Sequence, residues 1–215
     1  MLKIYGADLS PYSNKVKFVA NALNVEYEYI YIKIKEGDNR TEKFLRMNPF
    51  GKIPLIDDDG FILFESDAIT RYLAQREGSG LYPTNLHQRA IVDQWMNFSA
   101  MHVGIAMGKV LFNRVFAPLI KKDIDAQALK EGINFLNEYL PTIDEHLLTY
   151  SFMAGREMTL ADFTMLSALD PAEIGDVDLS PYSGIVKWRE GLKEKNWYQK
   201  CHRTYGERLA LILKK

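Results

Sequence analysis

The chain has 215 residues, 47% apolar and 26% charged, with a formal net charge of −1. This is ordinary globular composition; it excludes a disordered or low-complexity protein, and the near-neutral balance supplies no general pull toward nucleic acid or an anionic membrane. One cysteine, Cys201, excludes an internal disulfide framework and fits a reducing compartment, and no apolar run reaches membrane-spanning length.

Leu2 to Tyr5 reads as a short strand that opens the chain directly, without the basic and apolar regions of a signal peptide, so a cytoplasmic location is expected. Ser10 then caps a helix with Pro11 at its first position, where the missing N–H costs nothing. Tyr12, Val16, Val19 and Leu23 form its apolar stripe, with Lys15 and Lys17 off that stripe and Asn24 suited to a left-handed cap. Glu26 to Lys35 alternates as a second strand, so the opening is a strand, helix, strand crossover unit. A polar crossing from Gly37 to Asn48 carries a helical turn at 42–47. Two brief strands follow, Ile53 to Ile56 and Phe61 to Phe64, around the Asp57-Asp58-Asp59-Gly60 turn. Ser66 is expected to cap the next helix, which ends near Gly78 with Ile69, Tyr72 and Leu73 inward. This order is the thioredoxin-like plan.

Gly78 to Pro83 clusters glycine and proline between helical patterns. The expected division is a thioredoxin-like α/β domain over 1–78, a linker over 79–86 and an all-helical domain over 87–215. Within the last, His87 to Val115 forms a long helix carrying Ile91, Trp95, Phe98, Val103 and Met107. Asp123 to Tyr150 forms a second, with Pro141 predicting a kink. Thr159-Leu160-Ala161-Asp162 has the spacing of a capping box, Pro171 stops that helix, and 180–194 and 197–213 are the last two. Lys187 to Arg203 mixes basic and aromatic residues but is interrupted by Glu190 and Glu194, which reads as a solvated face rather than a nucleic-acid patch. His87, His102, His146 and His202 have no metal-ligand spacing, and no phosphate-loop glycines occur, so no metal is expected.

Ser10-Pro11-Tyr12-Ser13 resembles the Cys-Pro-Tyr-Cys site of glutaredoxins with both sulfurs removed. Together with Asn48-Pro49-Phe50-Gly51-Lys52-Ile53-Pro54, Phe64-Glu65-Ser66-Asp67-Ala68-Ile69 and Thr159-Leu160-Ala161-Asp162-Phe163, it makes nearly the whole chain similar to the cytosolic glutathione transferases, in a serine-type branch. The resemblance implies a homodimer that uses glutathione as co-substrate, with no tightly bound cofactor. Its partners would be glutathione and a small hydrophobic electrophile, with neither nucleic acid nor membrane involved. A glutathione-dependent isomerase or dehalogenase, or a non-catalytic binding protein, is the alternative on the same scaffold.

Such an enzyme must turn a thiol of pKa about 8.5 into a thiolate near neutral pH, and each unit of lowering takes about 1.4 kcal/mol of preferential anion stabilisation. By resemblance, Ser10 is the catalytic hydroxyl; read from the residues themselves, it is an N-cap. No His or Lys partner is evident to make it a nucleophile, so it would donate a hydrogen bond to sulfur. Ser13, one turn in, is expected to bond backbone or solvent, and Tyr5 to pack in the core. The resemblance implies a cis Ile53-Pro54 bond, with the Ile53 main chain pairing with the cysteinyl part. It assigns Glu65 to the γ-glutamyl ammonium and Ser66 to its carboxylate, and Arg40 and Lys52 to the glycyl carboxylate, with Asn39 departing from the basic residue some relatives carry. Phe50 reads either as an aromatic inserted into a partner subunit or as core. Tyr12, Met101, Ile105 and Phe112 are the co-substrate pocket residues, the last three on the long helix that walls this pocket in the family.

Overall fold

The computed structural model of the chain describes residues 1–201 and residue 210. Among these residues, four strands form one mixed sheet in the order β2-β1-β3-β4, with β1 (Leu2–Gly6), β2 (Tyr27–Tyr31), β3 (Leu55–Asp58) and β4 (Phe61–Phe64). β1 pairs in parallel with β2, with Gly6 opposite Tyr31, and antiparallel with β3, with Tyr5 opposite Leu55. β4 returns antiparallel along β3, with Leu55 opposite Phe64. The hairpin turn has Asp59 and Gly60 at φ 50° and 96°, the left-handed pair that matches the twist of adjoining strands.

Helix α1 (Pro11–Ala22) begins as the sequence predicts. Ser10 Oγ accepts from the Ser13 N–H at 3.2 Å, and Asn24 ends the helix at φ 55°. Its burial differs from the predicted stripe. Lys15 and Lys17 are buried, because α1 lies on the sheet and is also packed by α3 (Ser66–Arg76), α8 (Leu160–Leu169) and α10 (Asn196–Gln199), leaving no solvent side. Each lysine therefore holds a carboxylate: Lys15 Nζ lies 2.6 Å from Asp67 Oδ1 and Lys17 Nζ 3.0 Å from Asp8 Oδ1.

β2 is shorter than predicted. Its ladder partner among the described residues, β1, runs out at Gly6, so after the Ile32 N–H bonds the Gly6 carbonyl the chain turns into 3₁₀ segments at Ile34–Glu36 and Asp38–Arg40, followed by α2 (Glu42–Met47). The start of α3 is also corrected. Glu65, at φ 71° and ψ 111°, holds the cap position without a side-chain cap bond, and Ser66 is the first helical residue. A caps-to-helix reading places the polar residue outside the first turn, but here the turn out of β4 is made by strained backbone at Glu65.

The long predicted helix is a succession of α4 (Leu86–Phe98), a π-helical turn at Ser99–Val103, α5 (Gly104–Leu111), a second π-helical turn at Phe112–Phe116, and α6 (Ala117–Leu119). Its buried residues include Val92, Met96, Val103 and Met107, whereas Ile91 is exposed. α7 (Ala126–Thr149) stays helical through Pro141. α9 (Ser183–Lys193) buries Trp188 and Arg189 and exposes Lys187 and Glu190, so the stretch read as solvated is half core. Of the predicted final helix, α10, Lys200 and Cys201 are described; the residues from His202 onward, Arg203 among them, lie outside the described residues apart from Ala210.

One core runs from the sheet through α1 and α3 into α4, α5, α7 and α8, and a smaller cluster of Ile32, Phe44 and Leu55 sits on the other side of the sheet with Tyr5 packed on it. α8 enters this core through Asp162. Its carboxylate accepts from the Thr159 N–H at 2.9 Å, the Met153 N–H at 2.8 Å and the Trp188 indole N–H at 3.0 Å. The predicted capping spacing thus serves as a three-segment junction. Burial pushes the Asp162 carboxyl up to about 6, opposed by the donors that favour the anion.

Two stability experiments follow from this packing. Asp162→Asn is expected to destabilise the protein by about 2–4 kcal/mol in urea unfolding, since one amide group cannot accept from all three donors. Between about 4, the ordinary carboxylate range, and about 6 the folded chain holds a proton at Asp162 that the unfolded chain has released. The contribution of Asp162 to stability therefore falls as pH rises through that window, and the advantage of the wild type over Asp162→Asn is expected to be larger at pH 4 than at pH 7. A β-carbon at Gly6 would lie 2.7 Å from Ser13 Oγ and 3.1 Å from the Tyr29 hydroxyl, so Gly6→Ala is expected to cost about 1–3 kcal/mol by the same measurement.

Candidate functional site

The register of the sheet gathers the candidate residues. β1 leaves the sheet at Gly6 toward Ser10, and β3 enters beside Tyr5 directly after Pro54. β4 leaves beside Leu55 directly before Glu65. β2, parallel to β1, leaves at the same edge toward Arg40. Segments distant in sequence thus open onto one edge of the sheet.

At that edge the Ser10 oxygen spends a lone pair on the Ser13 N–H, which leaves its O–H to donate elsewhere. The N-cap role and the role of hydrogen-bond donor to a ligand are compatible in one hydroxyl. Pro11 has no N–H, and the Tyr12 N–H has no acceptor among the described residues, so the helix end carries unspent donor character beside Ser10. Ser13 Oγ accepts from the Ala7 N–H at 3.3 Å, the backbone role expected of it.

The Ile53-Pro54 bond is cis. The loop leading to it is tied by two asparagines: Asn48 Nδ2 donates to the Lys52 carbonyl at 2.9 Å, and the buried Asn39 donates to the Gly51 carbonyl at 2.8 Å. Asn39, a departure in the sequence comparison, is therefore a structural residue of this loop. The Ile53 N–H and carbonyl have no backbone partner among the described residues. Gly51 has φ 61°, and a β-carbon there would lie 2.8 Å from the Arg40 guanidinium, so Arg40 folds over the loop. Arg40 and Lys52 are exposed and form no ion pair among the described residues.

Glu65 is exposed, and Ser66 is buried at the start of α3. The N–H groups of Ser66, Asp67 and Ala68 have no backbone acceptor among the described residues, an arrangement that suits a carboxylate. Phe50 is 62% exposed with its ring 5.9 Å from that of Phe64, so it is not a core residue of the single chain.

A cleft of about 110 Å³ lies between α1, α8 and the helical run from Ser99 to Phe116. Pro11, Tyr12 and Lys15 form one wall, and Gly104, Met107 and Leu111 form the facing one. Of the four predicted pocket residues, Tyr12 lines this cleft. Met101, Ile105 and Phe112 do not; they occupy a neighbouring stripe of the helix and are exposed. The helix supplies residues to this cleft, but the phase of its inward face depends on the π-helical turn at Ser99–Val103, which helical spacing does not reveal.

Lys15, Asp67 and Thr164 are the residues that sequence reasoning missed. Lys15 lines the cleft with a 1% exposed side chain, and Asp67 Oδ1 takes both its ammonium and the Thr164 hydroxyl, the latter at 3.2 Å. Burial pulls the Lys15 ammonium below its usual range, and Asp67 opposes that pull. Burial, with Asp67 and Glu65 nearby, raises the Tyr12 phenol, so it stays a neutral donor. Among the described residues no group of acidic, His and Cys side chains could hold a metal ion, and no helix is long and apolar enough to cross a membrane.

Comparison with known proteins agrees with this geometry. Residues 1–75 match the model of the glutathione S-transferase N-terminal domain, and residues 109–196 match that of the C-terminal domain. The chain is 30% identical over 207 residues to glutathione S-transferase 3 of Zea mays, covering 93% of this chain and 92% of that one. It is 31% identical over 191 residues to glutathione S-transferase D7 of Drosophila melanogaster, covering 87% and 82%. Among solved structures it superposes on glutathione transferase F2 of Populus trichocarpa with a TM-score of 0.86 at 26% identity, covering 94% and 97%. A glutathione S-transferase-I solved with lactoylglutathione superposes with a TM-score of 0.85 at 27% identity, covering 93% and 97%. With both domain models matched in order and relatives spanning nearly its whole length, the chain belongs to the glutathione S-transferase family.

Proposed function

We propose that this glutathione transferase binds glutathione along the edge of its sheet and holds the thiolate with the Ser10 hydroxyl, for attack on a small apolar electrophile in the cleft beside Tyr12. The observation that carries the reading is the Ser10 hydroxyl, which caps α1 through its oxygen and keeps its proton for a ligand, at a helix end that favours anions. The peptide-like middle of glutathione pairs with the Ile53 main chain ahead of Pro54. Its γ-glutamyl carboxylate takes the Ser66 hydroxyl and the open amides of α3, and its ammonium takes the Glu65 carboxylate. Arg40 and Lys52 receive the glycyl carboxylate.

The division of labour follows the chain: residues 1–78 hold glutathione, 79–86 link, and 87–215 shape the electrophile site. No tightly bound cofactor takes part, and the thiol that the Ser-Pro-Tyr-Ser segment lacks comes from glutathione. The working form is a cytoplasmic homodimer, and the exposed Phe50 ring is the residue offered to the partner subunit.

The thiolate reading is tested by ultraviolet titration of bound glutathione. Ser10→Ala is expected to raise the thiol pKa by about 1–2 units, the equivalent of roughly 1.4–3 kcal/mol, and to lower turnover at neutral pH about 10–100-fold. Activity is expected to recover partly as pH rises toward the new pKa. An unchanged pKa would remove Ser10 from the mechanism. Glu65→Ala is expected to weaken glutathione binding by calorimetry about tenfold or more, as a charge-assisted contact does when one partner is removed.

A further inference from the structure

We propose that Asn14 and Lys17 are positioning residues of the conjugation, gripping the turn at 7–10 from helix α1 so that the Ser10 hydroxyl meets the glutathione sulfur in one orientation. This rests on the reading of Ser10 as the anchor of the glutathione thiolate.

The chain passes from β1 into α1 through that turn, which the Ser10 N–H closes by donating to the Ala7 carbonyl at 3.0 Å. Ser13 holds the entry, its Oγ accepting from the Ala7 N–H at 3.3 Å. Neither bond fixes the middle. In a four-residue turn the central peptide, here the Asp8 carbonyl and the Leu9 N–H, is the unit whose orientation separates one turn type from another, and it sets how the chain enters the next residue. That residue is Ser10. Asn14 binds the central peptide directly: it is fully buried, and its Nδ2 donates to the Asp8 carbonyl at 2.8 Å. On its other side Asn14 Oδ1 accepts from the Cys201 thiol at 3.6 Å. Burial pushes that thiol up to about 11, so it stays a donor, and the Asn14 amide is oriented with its oxygen to sulfur and its NH₂ to the turn.

Lys17 holds the side chain of the same residue. Its Nζ lies 3.0 Å from Asp8 Oδ1 and 4.5 Å from the centroid of the Tyr29 ring, with the side chain only 6% exposed. A buried ion pair adds little net stability over apolar packing, but it penalises every arrangement that leaves one partner alone. A turn that swings Asp8 away strands the Lys17 ammonium in the core, so the pair selects one turn. An apolar residue in place of Lys17 would pack α1 on the sheet and leave that choice open. The consequence falls on the thiolate. A hydrogen bond weakens steeply with misalignment, so a turn sampling two forms costs the Ser10–sulfur bond its strength. The other proposed contacts of glutathione, at Ile53, Glu65 and Ser66, lie on other segments and are spared.

The test is ultraviolet titration of the bound glutathione thiol, with kcat and KM for glutathione measured across pH using 1-chloro-2,4-dinitrobenzene. Asn14→Ala and Lys17→Met are each expected to raise the thiol pKa by about half a unit to one unit, less than Ser10→Ala does, and to lower kcat at neutral pH about three- to tenfold. KM for glutathione is expected to stay within about twofold of the wild type, and kcat to recover as pH rises. Lys17→Arg, which keeps a cation for Asp8, is expected to restore part of the wild-type value. If Lys17→Met does not fold, Lys17→Met with Asp8→Asn leaves no buried charge alone and carries the same expectation. Asp162→Asn serves as the control, destabilising the fold far from the turn while the thiol pKa stays in place; an equal rise there overturns the proposal. A variant whose thiol pKa matches the wild type, while Ser10→Ala raises it, overturns the role of the residue it replaces, as does a loss of kcat matched by an equal rise in KM with no change in pH profile. If the wild type binds no glutathione, or Ser10→Ala leaves the pKa unmoved, it is the reading of Ser10 that fails, and this proposal with it.

Discussion

The register of β1, β3 and β4 is the constraint on which the site depends. Tyr5 stands opposite Leu55 and Leu55 opposite Phe64, so the exit of β1, the entry of β3 and the exit of β4 meet at one edge. A one-residue slip would turn Ile4 and Ile56, both fully buried, to the other face of the sheet, and the loss of that burial holds the register against alternatives. Ser10, Ile53 and Glu65 are therefore placed by the hydrophobic packing of residues buried in the sheet.

Charges inside the core join the parts of the molecule. Lys15 on α1 and Asp67 on α3 pair beside Thr164 on α8, so the first residues of the thioredoxin-like half are tied to the helical half at the cleft. Asp162, two residues earlier on α8, gathers the N–H groups of Thr159, Met153 and Trp188 from three separate segments. A buried pair adds little net stability compared with apolar packing, but it penalises any arrangement in which either partner is left alone. The position of α8 against α1 is specified in that way, and with it the wall of the cleft.

Economy of donors explains how a capped helix can also keep a donor for a ligand. Ser10 uses oxygen lone pairs for the cap and keeps its proton, Pro11 removes a donor that would otherwise need an acceptor, and the Tyr12 amide remains open. The start of α3 achieves the same end differently: strained Glu65 makes the turn without a side-chain cap, leaving the first amides of the helix available. In both cases the local irregularity is at a helix end facing the site.

The amino-acid sequence by itself determined the order of the elements, the capped start of α1, the Asp59-Gly60 turn and the Thr159-Asp162 spacing. Each is set by residues within a few positions of one another, where conformational preference acts directly. The family motifs also carried Ser10, Glu65 and Ser66, the residues to which the proposed function assigns glutathione. Tertiary structure decided the rest. Lys15 looked like a surface lysine because its partner is 52 residues away, and nothing local reveals a helix buried on every side. Met101, Ile105 and Phe112 looked like pocket residues because helical spacing gives a stripe but not the direction it faces, and the π-helical turns change its phase. Phe50 stood between core and surface until packing exposed it. Short-range geometry is written in neighbouring residues, whereas burial and electrostatic pairing depend on which distant segments the core brings together.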